Sequence, residues 1–398
     1  MNIVTDENKI EEALTRGVSE VLPTKEALVN LLRSGKKIRL YQGFDPTGTQ
    51  LHIGHMVGFR KLHQFQDLGH EVIFLIGDGT GQAGDPSGKT KSREKFFTRD
   101  ELRANAVSYV KQASKIVNFE GKNPIKLKFN GDWLNELKLL DILEITGHFS
   151  LQQLSERDMF QERIKRGESV NMREFLYPLL QGYDSVAMDV DLEIGGSDQT
   201  FNMLAGRTLM KAMRGKNKFI LSTPLLADAS GRKVGKSEGN AIALTDPAPE
   251  LFGKIMGLGD DVIIKALEYL TDMPLAEVSE IGEKIVSGEN PMVFKKRLAF
   301  EIVKQLNNED IARKAQESFE GTFSRGEVPT DIIERKLSER FLGAQLLKCG
   351  FVESGNEFRR LIDEGAISID GVRVTDYKAP THTGVYKVGK HRFLRIVA

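Results

Sequence analysis

Cysteine is almost missing: Cys349 is the only one in 398 residues. A single thiol excludes an internal disulfide framework and any cysteine-rich zinc site, and it fits a reducing compartment. By itself it reads as a small apolar residue before it reads as a nucleophile. Net charge is missing too, because 56 Lys+Arg offset 56 Asp+Glu. The chain as a whole is no polycation, so a nucleic-acid surface has to be a local patch. No apolar run approaches the roughly 20 residues that span a bilayer. The opening MNIVTDENKIEEAL lacks a basic-then-apolar leader pattern. The expectation is a soluble, cytoplasmic protein with no membrane partner. Internal repeats and low-complexity tracts are also absent, and at about 150 residues per domain the length suits two or three domains.

What is present begins at residue 38. IRLYQGF reads as a strand, MVGFRKLHQFQDLG as an amphipathic helix and the continuous apolar EVIFLIG as a second strand. That order is βαβ, and it predicts an α/β fold with a parallel sheet. Thr98 and Glu101 form a capping box that opens a helix through about 118, and IKLKFN is a further strand. Residues 132 to about 183 read as mostly helical. DVDLEIGG and KFILSTPLL are the remaining core strands, so the sheet closes near 228. From 247 to 320 only helical periodicity is left. GTFSRGEVPT marks a linker, taken as 321–336, before a third unit at 337–398. There Ser354 and Glu357 make another capping box, EFRRLIDEG is a helix closed by Gly365, and AISIDGVRV is a strand, an Asp-Gly turn and a strand. Residues 378–398 carry five Lys/Arg, two His and no acid. With Arg359 and Arg360 on the preceding helix, they make the local basic patch, either a contact for nucleic acid or a solvated edge strand.

Two of the seven histidines, His52 and His55, flank a glycine directly after a strand. A helix N-terminus offers unpaired N–H groups and partial positive charge, glycine allows close approach and imidazoles donate hydrogen bonds, which together suit a nucleotide phosphate. Alone, two histidines on a helix face are weak evidence. The segment SGRKVGKSEGN sets Lys233 and Lys236 among three glycines. Two ammonium groups there can stabilise charge as pyrophosphate leaves, although an exposed basic turn would read the same way. A Walker loop has different spacing and is disfavoured.

Both motifs, in this order and around a parallel α/β core, resemble the class I aminoacyl-tRNA synthetases. The HIGH motif matches His52-Ile53-Gly54-His55, and the KMSKS loop matches Lys233-Val234-Gly235-Lys236-Ser237. Val234 and Gly235 depart from that pattern; the expectation is altered loop mobility with activity kept. YQGFDPTG, GDGTGQAGDPSGKTKSR, YPLLQGYDS and IGGSDQTFN resemble the tyrosyl-tRNA synthetases, from about 38 to 240, and residues 337–398 resemble the small RNA-binding module of the bacterial enzymes.

The resemblance implies a Rossmann-like catalytic domain at 1–246 with a helical insertion at about 132–183, an α-helical domain at 247–320 and a small α+β RNA-binding domain at 337–398. It implies a tyrosine-tRNA ligase that forms tyrosyl-adenylate from tyrosine and ATP and transfers tyrosyl to the terminal adenosine of tRNA(Tyr). Tyr41 and Asp184 would meet the phenol; phenylalanine would leave them buried and unpaired. Asp85, Tyr177 and Gln181 would hold the ammonium, with Gln199 beside them. Gly54, Gly196, Asp198 and Lys236 would contact ATP, with Asp198 accepting from ribose hydroxyls. Thr47, His52, His55, Lys89, Arg93, Lys233 and Lys236 would stabilise the transferring phosphates. Arg359, Arg360, Lys387, Lys390 and Arg392 would face RNA. Mg²⁺ would ride on the phosphates without a tightly held protein metal, and a homodimer interface would lie near 132–170. Thr200 departs from the tryptophan found there in one branch, which puts the local packing in question. Tryptophanyl-tRNA synthetases share the fold and both motifs, but not the Tyr41 and Asp184 pair or the RNA module. A smaller nucleotidylyltransferase would explain the first half alone. A non-catalytic RNA-binding paralogue would not need His52, His55, Lys233 and Lys236.

Overall fold

A computed structural model describes residues 2–87, 96–231, 233–234, 241–324 (of 322–324 the backbone only), 333–389 and 392–398. The chain forms two compact units, one of residues 1–247 with 254–309 and one of 248–253 with 310–398.

The first unit is built on a six-stranded sheet of β1 (Glu20–Leu22), β2 (Arg39–Phe44), β3 (Glu71–Ile76), β4 (Lys126–Phe129), β5 (Leu192–Gly196) and β6 (Phe219–Thr223), in the order β1-β6-β5-β2-β3-β4. All pairings are parallel except that of β1 on β6. Val72 to Ile76 are all buried, as a parallel strand covered on both faces requires. β1 is new to the sequence reading, because three residues are too few to show alternation. The helix Ile53–Asp67 makes the crossover from β2 to β3. The Thr98–Glu101 capping box is reciprocal as expected, but its helix stops at Ala113, short of 118. The chain is drawn off the helix by Gln66: the Asn118 N–H donates to Gln66 Oε1 at 3.1 Å, and Gln66 Nε2 donates to the Asn118 carbonyl at 2.7 Å.

The insertion is helical over Leu139–Gly147, Leu151–Ser155, Asp158–Lys165 and Met172–Met188, the last running beyond 183. Arg163, with no exposed surface, grips Glu174 with two guanidinium nitrogens at 2.7 and 3.1 Å. The helices Ile263–Leu270, Leu275–Val286 and Pro291–Leu306 belong to this same unit. Arg60 reaches Asp272 at 2.6 Å and Gln305 at 3.1 Å, and Arg16 donates to the carbonyls of Glu268 and Thr271. These two guanidiniums tie the helices to the α/β body. Among the described residues no helix is long and apolar enough to cross a membrane.

The second unit carries a five-stranded sheet of β7 (Ile333–Lys336), β8 (Ile367–Ile369), β9 (Val372–Arg373), β10 (Gly384–Val388) and β11 (Arg392–Val397), in the order β7-β11-β10-β8-β9. The linker expected at 321–336 is shorter: residues 321–324 finish a helix, and 333–336 are a strand parallel to β11. All four side chains of β7 are exposed, so it carries no hydrophobic alternation to read. Gly365 closes its helix at φ +64°, and Asp370-Gly371 turn with φ of 48° and 84°, as a two-residue hairpin demands. Ser354 caps the Glu357 amide at 3.2 Å, but the Glu357 carboxylate takes the Glu353 amide instead of that of Ser354. The second capping box is thus half formed.

His70 has no exposed surface, and burial pushes its imidazole down to about 4. The unfolded chain takes up that proton near 6.5, so this stability is complete above 6.5 and is lost as pH falls toward 4, by up to about 3 kcal/mol. Urea unfolding followed through the single tryptophan, Trp133, should show a midpoint that drops between pH 7 and pH 5, and His70→Gln should flatten that drop. Equal drops in both proteins would refute the assignment.

Candidate active site

Successive parallel strands run outward from β2 through β3 to β4, whereas β5 and β6 lie on the other side of β2. Open parallel sheets bind ligands at such a reversal, beyond the carboxyl ends of the strands. β2 and β5 share only the pairs Leu40↔Leu192 and Tyr41↔Glu193, whereas β2 and β3 pair from Arg39 to Phe44. Beyond Tyr41 the strands part. The segments leaving them, 45–55 and 196–202, line the wedge.

The first segment is pinned by the helix Arg99–Ala113. Asn105 donates to the Pro46 carbonyl at 2.9 Å, and Gln112 donates to the Thr49 carbonyl and accepts from the Leu51 amide. Thr47, half-buried, donates its amide to the Asp45 carbonyl. His52 is the N-cap of the next helix: its Nδ1 accepts from the Gly54 amide at 3.2 Å, which puts the hydrogen of a neutral ring on Nε2. His55 Nδ1 lies 3.2 Å from the His52 amide, and the two rings are 4.0 Å apart. A Cβ on Gly54 would come within 3.0 Å of the His52 ring, so glycine is what lets the imidazole fold back over the helix end.

The chain past the lysine motif returns to the same place. His52 bridges to Ala243, the Ile53 amide donates to the Ile242 carbonyl, and the Leu244 amide donates to the Leu51 carbonyl. Residues 242–244 therefore run beside the histidine motif. Lys233 Nζ meets Asp198 Oδ2 at 2.8 Å, and a Cβ on Gly196 would stand 2.7 Å from Asp198 Oδ1. Lys89, Arg93 and Lys236 lie outside the described residues.

Deeper in the wedge the amino-acid candidates gather. Tyr41 and Asp184 are buried but bond to other partners: the Tyr41 hydroxyl meets Ser185 Oγ at 3.0 Å, while Asp184 accepts from Asn130 Nδ2 at 3.0 Å and Trp133 Nε1 at 2.8 Å. Burial, then the charges of Glu193 and Asp184, holds the Tyr41 phenol well above its usual range. Burial likewise raises the Asp184 carboxyl well above the usual carboxylate range, against the pull of its two donors. Tyr177 donates to Asp45 Oδ2 at 2.9 Å, with Thr80 on the other Asp45 oxygen at 2.7 Å. Gln199 Nε2 donates to Asp85 Oδ2 at 3.0 Å, and Gln181 Nε2 donates to Glu193 Oε1 at 2.9 Å. From the insertion, Arg157 donates to Ser87 Oγ at 3.1 Å and lies over the Phe201 ring.

Beneath the wedge is an ion pair with almost no exposed surface, Lys218 with Glu193. Lys218 also donates to Ser185 Oγ at 2.9 Å, and burial pulls its ammonium below the ordinary value despite Glu193. Sequence reasoning missed this pair, along with Asp45, Asn130 and Trp133. A signal existed for the pair: an acid inside LEIGG and a lysine at the head of KFILS are charges in strands otherwise read as apolar.

In the second unit, Arg359, Arg360, Lys387 and Arg392 are exposed. Arg360 pairs with Glu364 at 3.0 Å, Arg392 with Glu357 at 3.4 Å and Arg395 with Glu334 at 3.2 Å. Lys387 Nζ lies 5.8 Å from the Phe393 ring centroid. The acid-free run at 378–398 thus folds against acids from earlier segments, and the patch is less basic than its count. Lys390 lies outside the described residues.

The sequence profile of the tRNA synthetases class I (W and Y) matches residues 33–324. The tyrosine–tRNA ligase of Dehalococcoides mccartyi (strain CBDB1) is 38% identical over 397 residues, 98% of this chain and 99% of that one. That of Francisella tularensis is 39% identical over 391 residues, 97% and 98% of the two chains. A C-terminally truncated mitochondrial tyrosyl-tRNA synthetase of Coccidioides posadasii superposes with TM-score 0.65 at 27% identity, over 78% of this chain and 92% of that one.

Removing one member of a buried ion pair strands the other charge. Lys218→Met is expected to lower stability by about 3–5 kcal/mol, and Lys218→Met with Glu193→Gln to recover most of that loss. Urea midpoints followed through Trp133 test this; a double variant no more stable than the single one would contradict it.

Proposed function

The chain belongs to the class I tRNA synthetases of the tryptophan and tyrosine type, among the tyrosine–tRNA ligases, and we propose that the wedge between β2 and β5 is where both of its half-reactions take place. In the first, a tyrosine carboxylate oxygen attacks the α-phosphorus of ATP; the new O–P bond forms as the bond to the β-phosphate breaks, and pyrophosphate leaves. In the second, a ribose hydroxyl at the tRNA terminus attacks the tyrosyl carbonyl, gives up its proton, and AMP leaves. No protein nucleophile is required, so catalysis consists of positioning and charge stabilisation.

The observation that carries the reading is the convergence of the segments around the two motifs: residues 242–244, just past the lysine motif, run beside Leu51–Ile53, and Lys233 meets Asp198 on the β5 wall of the wedge. We assign phosphate stabilisation to Thr47, His52, His55, Lys233 and Lys236, with Lys89 and Arg93 on the pyrophosphate side. Gly54, Gly196 and Asp198 receive the adenosine moiety, and Mg²⁺ travels with ATP as part of the substrate. The depth of Tyr41 and Asp184 supports their assignment to the phenol, and the carboxylate of Asp85 beside Tyr177, Gln181 and Gln199 supports an ammonium site. We place the tRNA contacts of the second unit at Arg359, Arg360, Lys387, Lys390 and Arg392. The division into a catalytic domain at 1–246, a helical domain at 247–320 and an RNA-binding module from 337 is retained as a functional one. A homodimer is supported by Leu139, Leu140 and Leu143, exposed at 71%, 76% and 56% on one helix of the insertion, with Leu151 at 64% nearby in sequence. We assign the work to the cytoplasm.

ATP–pyrophosphate exchange tests the assignment. Exchange should depend on tyrosine, and Lys233→Ala should lower its rate more than it weakens tyrosine binding. Exchange supported by tryptophan and not tyrosine would overturn it. The pH profile is a second test. As an anion Asp184 accepts the phenol proton, and burial raises its carboxyl, so tyrosine binding should weaken as pH falls through a limb lying above the ordinary carboxylate range. Quenching of Trp133 reads the binding; the same acid limb persisting in Asp184→Asn would exclude this carboxyl as its source.

A further inference from the structure

Two carboxylates bracket the amino-acid pocket, and they dictate the direction of every amide between them. At one end Glu193, ion-paired with Lys218, accepts from Gln181 Nε2; at the other Asp85 accepts from Gln199 Nε2. An ionised carboxylate accepts and never donates. Each glutamine therefore turns its NH₂ outward to its acid and its carbonyl oxygen inward. The two inward oxygens converge on one side chain: Asn202 Nδ2 lies 3.1 Å from Gln181 Oε1 and 2.8 Å from Gln199 Oε1, with Ser87 Oγ third at 3.3 Å.

Two carbonyls facing one another need a double donor between them, and an amide NH₂ supplies two hydrogens. The flipped amide would set a third oxygen against the first two. Asn202 has no exposed surface, and its own Oδ1 is buried with no hydrogen-bond partner among the described residues. A side chain oriented for its own satisfaction would not leave an oxygen so placed. The orientation is imposed by the two glutamines and, through them, by the acids at either end.

We propose that Asn202 is a positioning residue for amino-acid recognition, clamping the inward carbonyl oxygens of Gln181 and Gln199, whose direction the two acids set, at the positions where they meet an incoming ammonium. The proposal rests on the reading that Asp85, Tyr177 and Gln181 receive the ammonium. Asn202 needs no contact with substrate; it acts through the glutamines.

Asn202→Asp is nearly isosteric and replaces the double donor with an acceptor. Both glutamine carbonyls then face an anion while Glu193 and Asp85 still hold the two NH₂ groups, so the carbonyl oxygens are pushed off the positions that meet the ammonium. The KM for tyrosine in exchange should rise about ten- to a hundredfold, with the KM for ATP nearly unchanged. Relative to wild type at each pH, the defect should shrink as pH falls, because protonation returns one donor to the new carboxyl. Asn202→Ala should show the rise without the pH-dependent recovery, and it keeps the test open if the buried carboxyl prevents folding. A tyrosine KM within twofold of wild type in a folded variant, equal losses for tyrosine and ATP, or a pH-independent Asn202→Asp defect would each overturn the proposal. Asp85→Asn separates the two layers of inference. If it leaves the tyrosine KM unchanged, the ammonium reading fails. If it raises that KM while Asn202→Asp does not, only the role of Asn202 fails.

Discussion

Neighbouring parallel strands that pair for two residues and then part are the constraint on which this molecule's chemistry depends. β2 and β5 meet only at Leu40↔Leu192 and Tyr41↔Glu193. Each strand is fully engaged on its other side, β2 by β3 and β5 by β6. Beyond Tyr41 only the pairing between β2 and β5 stops; each strand continues against its outer neighbour, to Phe44 and to Gly196. A wedge with fixed walls lets residues far apart in sequence face one another without a flexible loop having to order them, which is what positioning without a covalent nucleophile requires.

The bottom of the wedge is charged, and that choice propagates upward. An apolar floor under Tyr41 would be easier to desolvate than the Lys218–Glu193 pair, since buried ion pairs seldom outdo hydrophobic packing in stability. What the pair supplies is direction. Lys218 donates to Ser185, which meets the Tyr41 hydroxyl, and Glu193 turns Gln181, which through Asn202 is tied to Gln199 and Asp85. On the proposed assignment, a single polar network would thereby serve both ends of one amino acid. Networks of this kind hold one arrangement when every donor has its acceptor.

Much of this was legible in the sequence, and the parts that were not share a cause. The parallel core could be read because EVIFLIG is apolar throughout, and the Thr98 cap because it is a local pattern. β1 and β7 escaped because neither three residues nor four exposed ones carry a period. The partners of Asp184 escaped because Asn130 and Trp133 come from the segment after β4, some fifty residues away, and only tertiary folding brings them together. The C-terminal patch was misjudged in strength for the same reason: its run of 21 residues holds no acid, yet Glu334 and Glu357 fold onto it. The sequence motifs hold the candidate substrate contacts; partners such as Asn130 and Trp133 lie outside those motifs and leave no spacing to find.

The end of the wedge proposed for the nucleotide is built on weaker bonds than the end proposed for the amino acid, and the proposed roles account for the difference. Lys233 and Asp198 are joined by an ion pair in which both side chains keep solvent contact, 38% and 27% exposed. Such pairs are worth about 0–1 kcal/mol. The contact holds Lys233 at Asp198; on the proposed assignment an adenosine ribose competing for Asp198 would displace it at little cost and free the ammonium for the phosphates. A buried pair like Lys218–Glu193 in the same position would resist that exchange by several times as much. On the proposed assignment, the strong, desolvated bonds would lie where the pocket has to discriminate and the weak, solvated one where a charge has to move between partners during the reaction.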